Sequence, residues 1–165
     1  MKGIFITIEG PDGAGKTTQR ELLKEYLEKK GYDVLITRDP GPALDAGQAV
    51  IADRFVDSSA VYQGIGRGLG VDTVYKVNEF ALQGIMPDMT FLMDLDAQEG
   101  ISRKKNQAEL DRMENEKMEF HQKVVDGYRM LADMHTERIV KIDATLPIDE
   151  IHGIIVGYVE KKLNL

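Results

Sequence analysis

Cysteine and tryptophan are absent from this chain of 165 residues, and only five positions are proline. Without cysteine there is no disulfide framework, no thiol nucleophile and no thiolate metal or iron–sulfur site. The absence also fits a cytoplasmic setting. Basic charge is in short supply: 21 Lys and Arg stand against 28 Asp and Glu, a net charge of −7. So acidic a chain lacks the broad positive footprint that a nucleic acid polymer or an anionic membrane surface demands. No apolar run approaches the ~20 residues of a membrane span, and residues 1–9 read directly into a strand and not a secretory leader. What remains is one domain, 1–165, with enough apolar material for a core.

Short apolar runs alternate with amphipathic stretches. Strands are predicted at 4–8, 33–37, 49–52, 89–93 and 138–142. Helices are predicted at 17–30, 71–83 and 114–135, with a last one beginning at Pro147, a residue suited to a helix start. Five apolar strands separated by helices imply an α/β fold with a parallel sheet covered on both faces. One junction is too short. Only about ten residues (39–48) separate the second and third strands, and they include two Pro and two Gly. A parallel crossover takes a dozen residues or more, usually with a helix. Either these strands are not parallel partners in one sheet, or a segment is missing, with Gly41–Pro42 as the expected splice.

Gly10-Pro11-Asp12-Gly13-Ala14-Gly15-Lys16-Thr17 matches the phosphate-binding pattern G-x-x-x-x-G-K-[ST], between a strand and a helix as that motif requires. Gly10, Gly13 and Gly15 let the backbone curl, so that N–H groups near Ala14, Thr17 and Thr18 face one anion. Lys16 is placed for the β- and γ-phosphates of a nucleoside triphosphate, and the Thr17 hydroxyl for Mg²⁺. The base-reading string N-K-x-D of a GTPase is absent, and the chain is too short for a large ATPase core. A kinase of a small molecule fits best.

The third strand ends in Asp53-Arg54. Asp53 stands where a second metal-facing acid is expected. Arg54 projects past the strand end, where open α/β sheets bind ligands, and its fork suits a phosphate. Beyond it, Tyr62 and Gln63 offer an aromatic wall and an amide, and Gly64, Gly66, Gly68 and Gly70 are expected to make a flexible segment around Arg67. The stretch 101–112 carries four positive and two negative charges in an otherwise acidic chain, as a mobile lid over a transferring phosphoryl group would. The three histidines show no metal spacing.

Taken together, these strings resemble the thymidylate kinase family: Ile8-Glu9-Gly10 through Thr17-Thr18-Gln19, Thr37-Arg38-Asp39-Pro40-Gly41, Asp53-Arg54-Phe55, Tyr62-Gln63-Gly64, Pro87-Asp88 and Asp111-Arg112-Met113-Glu114. The likeness runs nearly end to end. It implies a P-loop kinase three-layer fold, a five-stranded parallel sheet and a short lid at about 101–113. It also implies transfer of the ATP γ-phosphoryl group to dTMP, giving dTDP and ADP, with Mg²⁺ as cofactor and a homodimer as the assembly. By resemblance, Asp12 would bond the acceptor's 3′-hydroxyl and Arg54 its 5′-phosphate. Ser59, Tyr62 and Gln63 would lie by the sugar and base, Thr17 and Asp53 would order Mg²⁺, and Ala144 would border adenine. Gly13 stands where another branch of the family has a basic residue, which assigns the catalytic cations to the lid, at Arg103, Lys105 and Arg112.

Family members carry, between strands two and three, a helix-containing segment with an aromatic that stacks on thymine and an Arg that reads its edge. Nothing in 41–48 matches either, at the same place where the crossover is short. Two rivals follow: another small P-loop nucleotide or nucleoside kinase, and a non-catalytic nucleotide-binding protein.

Overall fold

A computed structural model describes residues 3–38, 40–105 and 114–165, apart from the side chains at 104–105 and 114–117. The strands β1 (Ile4–Glu9), β2 (Val34–Ile36), β3 (Ala49–Asp53), β4 (Met89–Asp94) and β5 (Ile139–Asp143) form one sheet in the order β2-β3-β1-β4-β5. Every pairing is parallel. The predicted fold class is therefore observed. Each predicted strand is present to within a residue or two at its ends.

The period-two alternation of β1 decides what lies on each face. Ile4, Ile6 and Ile8 point to one side, into a core with Leu23 and Leu27 of α1 (Lys16–Lys29) and Ile151, Ile155 and Val159 of α7 (Ile148–Leu163). Phe5, Thr7 and Glu9 point to the other. There α6 (Glu114–Met134) supplies Val124, Tyr128 and Leu131 over β4 and β5. α5 (Ala97–Lys105) follows β4. No helix among the described residues is long and apolar enough to cross a membrane.

β2 and β3 are adjacent and parallel, with Leu35 beside Val50. The crossover between them holds only α2 (Gly41–Asp45), five residues whose first turn includes Gly41 and Pro42. This thin layer covers a small cluster of Phe5, Ala43, Val50 and Ala52. It does not reach the edge strand, where Leu35 is left 40% exposed.

The segment after β3 departs from expectation. Residues 67–70 form a short bend, but residues 56–66 are not a loose glycine loop. They form α3 (Val56–Ser59), which widens into a π-helical stretch at Ala60–Gly66 and leads to α4 (Val71–Leu82). Glycine here permits close packing instead of mobility. A Cβ on Gly66 would lie 2.7 Å from the Phe120 ring, and one on Gly127 of α6 2.9 Å from Ile65. Phe120 and Tyr62 also pack against each other.

A buried ion pair braces α3 against the sheet. Asp57, 1% exposed, accepts two bonds from Arg138 at 2.6 and 2.8 Å and one from Tyr75 at 2.7 Å. Removing one partner of such a pair strands the other charge in the interior. Arg138→Ala is expected to lower unfolding stability by about 3–5 kcal/mol, read from the denaturant midpoint; a loss below ~1 kcal/mol would show that the pair is not a brace.

Candidate active site

The ends of β1 and β3 create the site. Their register places Ile8 beside Asp53, so the turns that follow each strand emerge side by side. After β1 the chain curls through Gly13 and Gly15, both at φ +80, and enters α1 at Lys16. A side chain at Gly13 would meet the carbonyl of Gly100 in α5 at 2.5 Å. The phosphate loop and the helix leading into 101–113 thus touch backbone to backbone, and a basic residue at position 13 has no room.

Lys16 is nearly buried, and its ammonium donates to the Pro11 carbonyl at 2.7 Å. Burial, with Arg54 nearby, lowers its pKa to about 8. Thr17 donates to an Asp53 oxygen at 3.2 Å, and Arg20 lies 3.7 Å from that same oxygen. A cavity of about 420 Å³ is lined by Asp12, Gly13, Gly15, Lys16, Thr17, Thr18, Arg38, Asp53 and Arg54. Gly10 (φ +138) and Ala14, which is buried, complete the loop around it.

Arg54 joins this cradle to a second cavity. Its backbone is left-handed, φ +70, which side chains other than glycine rarely adopt. Its guanidinium donates to Asp12 at 2.7 Å and to the Tyr128 hydroxyl at 3.2 Å, and lies over the Tyr62 ring at 5.1 Å. Burial opposes its charge, but Tyr128, Tyr62 and Asp12 outweigh burial and hold it firmly protonated. The adjoining cavity, about 340 Å³, is lined by Asp12, Arg54, Ser58, Ser59, Tyr62, Gln63 and Arg67. A third, about 570 Å³, opens between α2 and α4 and includes Arg38, Pro40, Phe55, Ser59 and Asn78 in its walls.

The structure therefore brings Asp12, Lys16, Thr17, Asp53, Arg54, Ser59, Tyr62 and Gln63 together. Arg103 donates to the Ala144 carbonyl at 3.1 Å, on the loop after β5, and to Glu99 at 3.0 Å, and it lines neither cavity around Arg54 and Lys16. The Lys105 side chain, Arg112 and Asp39 lie outside the described residues. Four contributors escape a reading of the sequence. Arg38 borders two of the cavities. Tyr128 sits at core spacing on α6, yet its hydroxyl reaches Arg54, and Ser58 approaches Arg54 at 3.4 Å. Glu9 is buried at the end of β1, where desolvation raises its pKa to about 7. A carboxylate as the last residue of an otherwise apolar strand was the available signal.

A family model described as thymidylate kinase matches residues 8–42 and 41–155. The thymidylate kinase of Geobacillus thermodenitrificans is 39% identical, over 99% of this chain and 92% of its own length. That of Caldanaerobacter subterraneus is 39% identical, over 99% and 98%. The first alignment spans 208 positions, and this chain has 165 residues, so at least 43 positions have no counterpart in it. Among solved structures, the Ehrlichia chaffeensis thymidylate kinase superposes with a TM-score of 0.76 at 27% identity, over 97% of this chain and 99% of that one.

Burial holds the Lys16 pKa near 8, so a polyphosphate bound against its ammonium would restore the proton. Calorimetry at pH 9 in two buffers of different ionisation enthalpy is expected to show proton uptake on ATP binding, much reduced at pH 6.5 and in Lys16→Met. Equal heats in both buffers at pH 9 would contradict the placement of Lys16 on the phosphates.

Proposed function

Starting from the fact that this chain belongs to the thymidylate kinase family and is an enzyme that phosphorylates dTMP to dTDP, we propose how its residues carry out the transfer. ATP occupies the cradle of Gly10, Gly13, Ala14, Gly15, Lys16, Thr17 and Thr18, with Ala144 beside the adenine. The dTMP lies across Arg54, with Asp12 at its 3′-hydroxyl and Ser59, Tyr62 and Gln63 around the sugar and base. An oxygen of the dTMP phosphate attacks the γ-phosphorus, the bond from that phosphorus to the β–γ bridging oxygen breaks, and ADP leaves.

A phosphate oxygen is already ionised at neutral pH, so no strong base is needed. The obstacle is repulsion between two polyanions. Lys16 and Arg54 offset it from either side of the reacting centre, and Arg103, Lys105 and Arg112 are the cations assigned to the lid. Positioning of the two phosphates supplies much of the remainder. The observation that carries this assignment is Arg54, held at the boundary between cradle and second cavity and aimed at Asp12 of the phosphate loop.

Mg²⁺ fits the residues present. Among the described residues no cluster of three or more acids or histidines could hold a metal unaided. Magnesium instead takes one or two protein oxygens and completes its shell with phosphates and water. Thr17 and Asp53 supply such oxygens in contact with each other. When bound, the ion neutralises charge on the β- and γ-phosphates.

We also assign the unmatched positions to the junction at 41/42, within a single domain whose lid spans about 101–113. The family model divides there, and the exposed Leu35 marks the sheet face that a longer crossover would cover. A homodimer through α4 accounts for Val77 and Phe80, 74% and 91% exposed, on a face that joins no core cluster among the described residues. A cytoplasmic site of action suits the cysteine-free sequence.

Lys16→Ala and Arg54→Ala are each expected to lower turnover by about 10²-fold or more while leaving the unfolding transition in place. Near-normal turnover in either would overturn the assignment. Phe80→Glu is expected to shift the sedimenting species from dimer to monomer; a wild-type chain already monomeric at micromolar concentration would remove the dimer.

A further inference from the structure

The proposed chemistry leaves Glu9 without a task. It lines none of the three cavities around Arg54, and it is 1% exposed. Among the described residues no cation touches its carboxylate. The groups that do are the Phe55 N–H at 2.6 Å, the Ser58 hydroxyl at 2.5 Å and the Tyr128 hydroxyl at 3.0 Å. A buried carboxylate is costly to keep, and its three partners all lead to Arg54.

One oxygen fixes the backbone. The Arg54 N–H donates to the Ile8 carbonyl at 3.2 Å, and the next N–H, that of Phe55, donates to Glu9 Oε1. Two consecutive residues at the end of β1 thus pin two consecutive peptides after β3. Between those pins Arg54 turns through φ +70, the conformation that throws its side chain back toward the phosphate loop.

The other oxygen fixes hydroxyl polarity. Ser58 Oγ and Tyr128 Oη lie 2.7 Å apart and both reach Glu9 Oε2. Each hydroxyl has one hydrogen. With a carboxylate accepting, those hydrogens point toward Glu9 or toward each other, and oxygen lone pairs remain for the Arg54 guanidinium at 3.4 and 3.2 Å. An amide in place of the carboxylate would bring a donor. With its nitrogen beside Ser58 and Tyr128, at least one hydroxyl hydrogen would turn toward the cation and repel it; with its nitrogen on the other side, it would face the Phe55 N–H and the backbone pin would be lost.

We propose that Glu9 is a positioning residue for the acceptor phosphate, acting through the 54–55 backbone and the Ser58 and Tyr128 hydroxyls to aim Arg54. This rests on the proposed placement of the dTMP phosphate on Arg54. The test is the preference for dTMP over thymidine, which lacks the 5′-phosphate, measured by calorimetric titration of the full chain at pH 8.5, where Glu9, its pKa raised to about 7 by burial, is ionised.

Glu9→Gln is nearly isosteric and removes a buried charge, so its thermal midpoint is expected at or above that of the wild type. Its dTMP affinity is expected to fall about tenfold or more, with thymidine and ATP affinities within about twofold of normal. Tyr128→Phe, which removes one of the two hydroxyls, is expected to lower the same preference by a smaller factor, and the double variant by less than the product of the two. It also serves if Glu9→Gln does not fold. Equal weakening of dTMP and thymidine would mean that Glu9 merely supports the fold, and an unchanged preference in the variants that fold would equally overturn the proposal. Arg54→Ala separates the two levels. If it loses the preference while Glu9→Gln and Tyr128→Phe keep it, the positioning role alone fails. If Arg54→Ala keeps the preference, the placement of the phosphate on Arg54 fails with it.

Discussion

The contact between Arg54 and Asp12 organises the site. It joins the turn after β3 to the phosphate loop after β1 at 2.7 Å, and each partner is assigned to the acceptor. In a chain with net charge −7, cations must be gathered where two anions are to meet. The parallel sheet does this by setting the carboxyl ends of β1 and β3 in register, Ile8 beside Asp53. In the proposed placement, Asp12 balances Arg54 until an acceptor phosphate takes its place. Lys16 lies close by, and burial, aided by the charge of Arg54, holds its pKa near 8. Catalysis of this kind is electrostatic preorganisation, and its residues need rigid backbones more than reactive side chains.

That rigidity is built in layers behind the site. Asp57 and Arg138 lock α3 to the far side of the sheet, Glu9 ties the residues after Arg54 to β1, and the π-helical stretch at Ala60–Gly66 packs on α6. The layer over β2 is thin by contrast. A five-residue α2 sets Ala43 against Phe5, Val50 and Ala52 and leaves Leu35 40% exposed. In the proposed placement, the phosphate half of the acceptor site stands on a braced core, and the base half beside a short crossover.

Much of this was legible in the residues. The strands announced themselves as apolar runs, and the phosphate loop by glycines whose spacing only a tight strand–helix turn requires. Asp53 and Arg54 were visible because charged residues closing an apolar strand have few other uses. The short crossover was visible by counting. What escaped was tertiary. Gly64 and Gly66 suggested flexibility, since nothing local shows that the Phe120 ring will rest against Gly66. Tyr128 looked like one more core position on a helix, because helical spacing says where a side chain points and not what its hydroxyl meets. The bond from Arg103 to the Ala144 carbonyl was likewise invisible, because it joins residues 41 positions apart.

The central claim is that Asp12 holds the place of the acceptor phosphate on Arg54. A crystal structure of this chain with dTMP and a non-hydrolysable ATP analogue tests it most directly. The Arg54 guanidinium is expected on the 5′-phosphate, with Asp12 turned to the 3′-hydroxyl and the left-handed backbone of Arg54 retained. An intact Arg54–Asp12 pair with the dTMP phosphate bound elsewhere would contradict it.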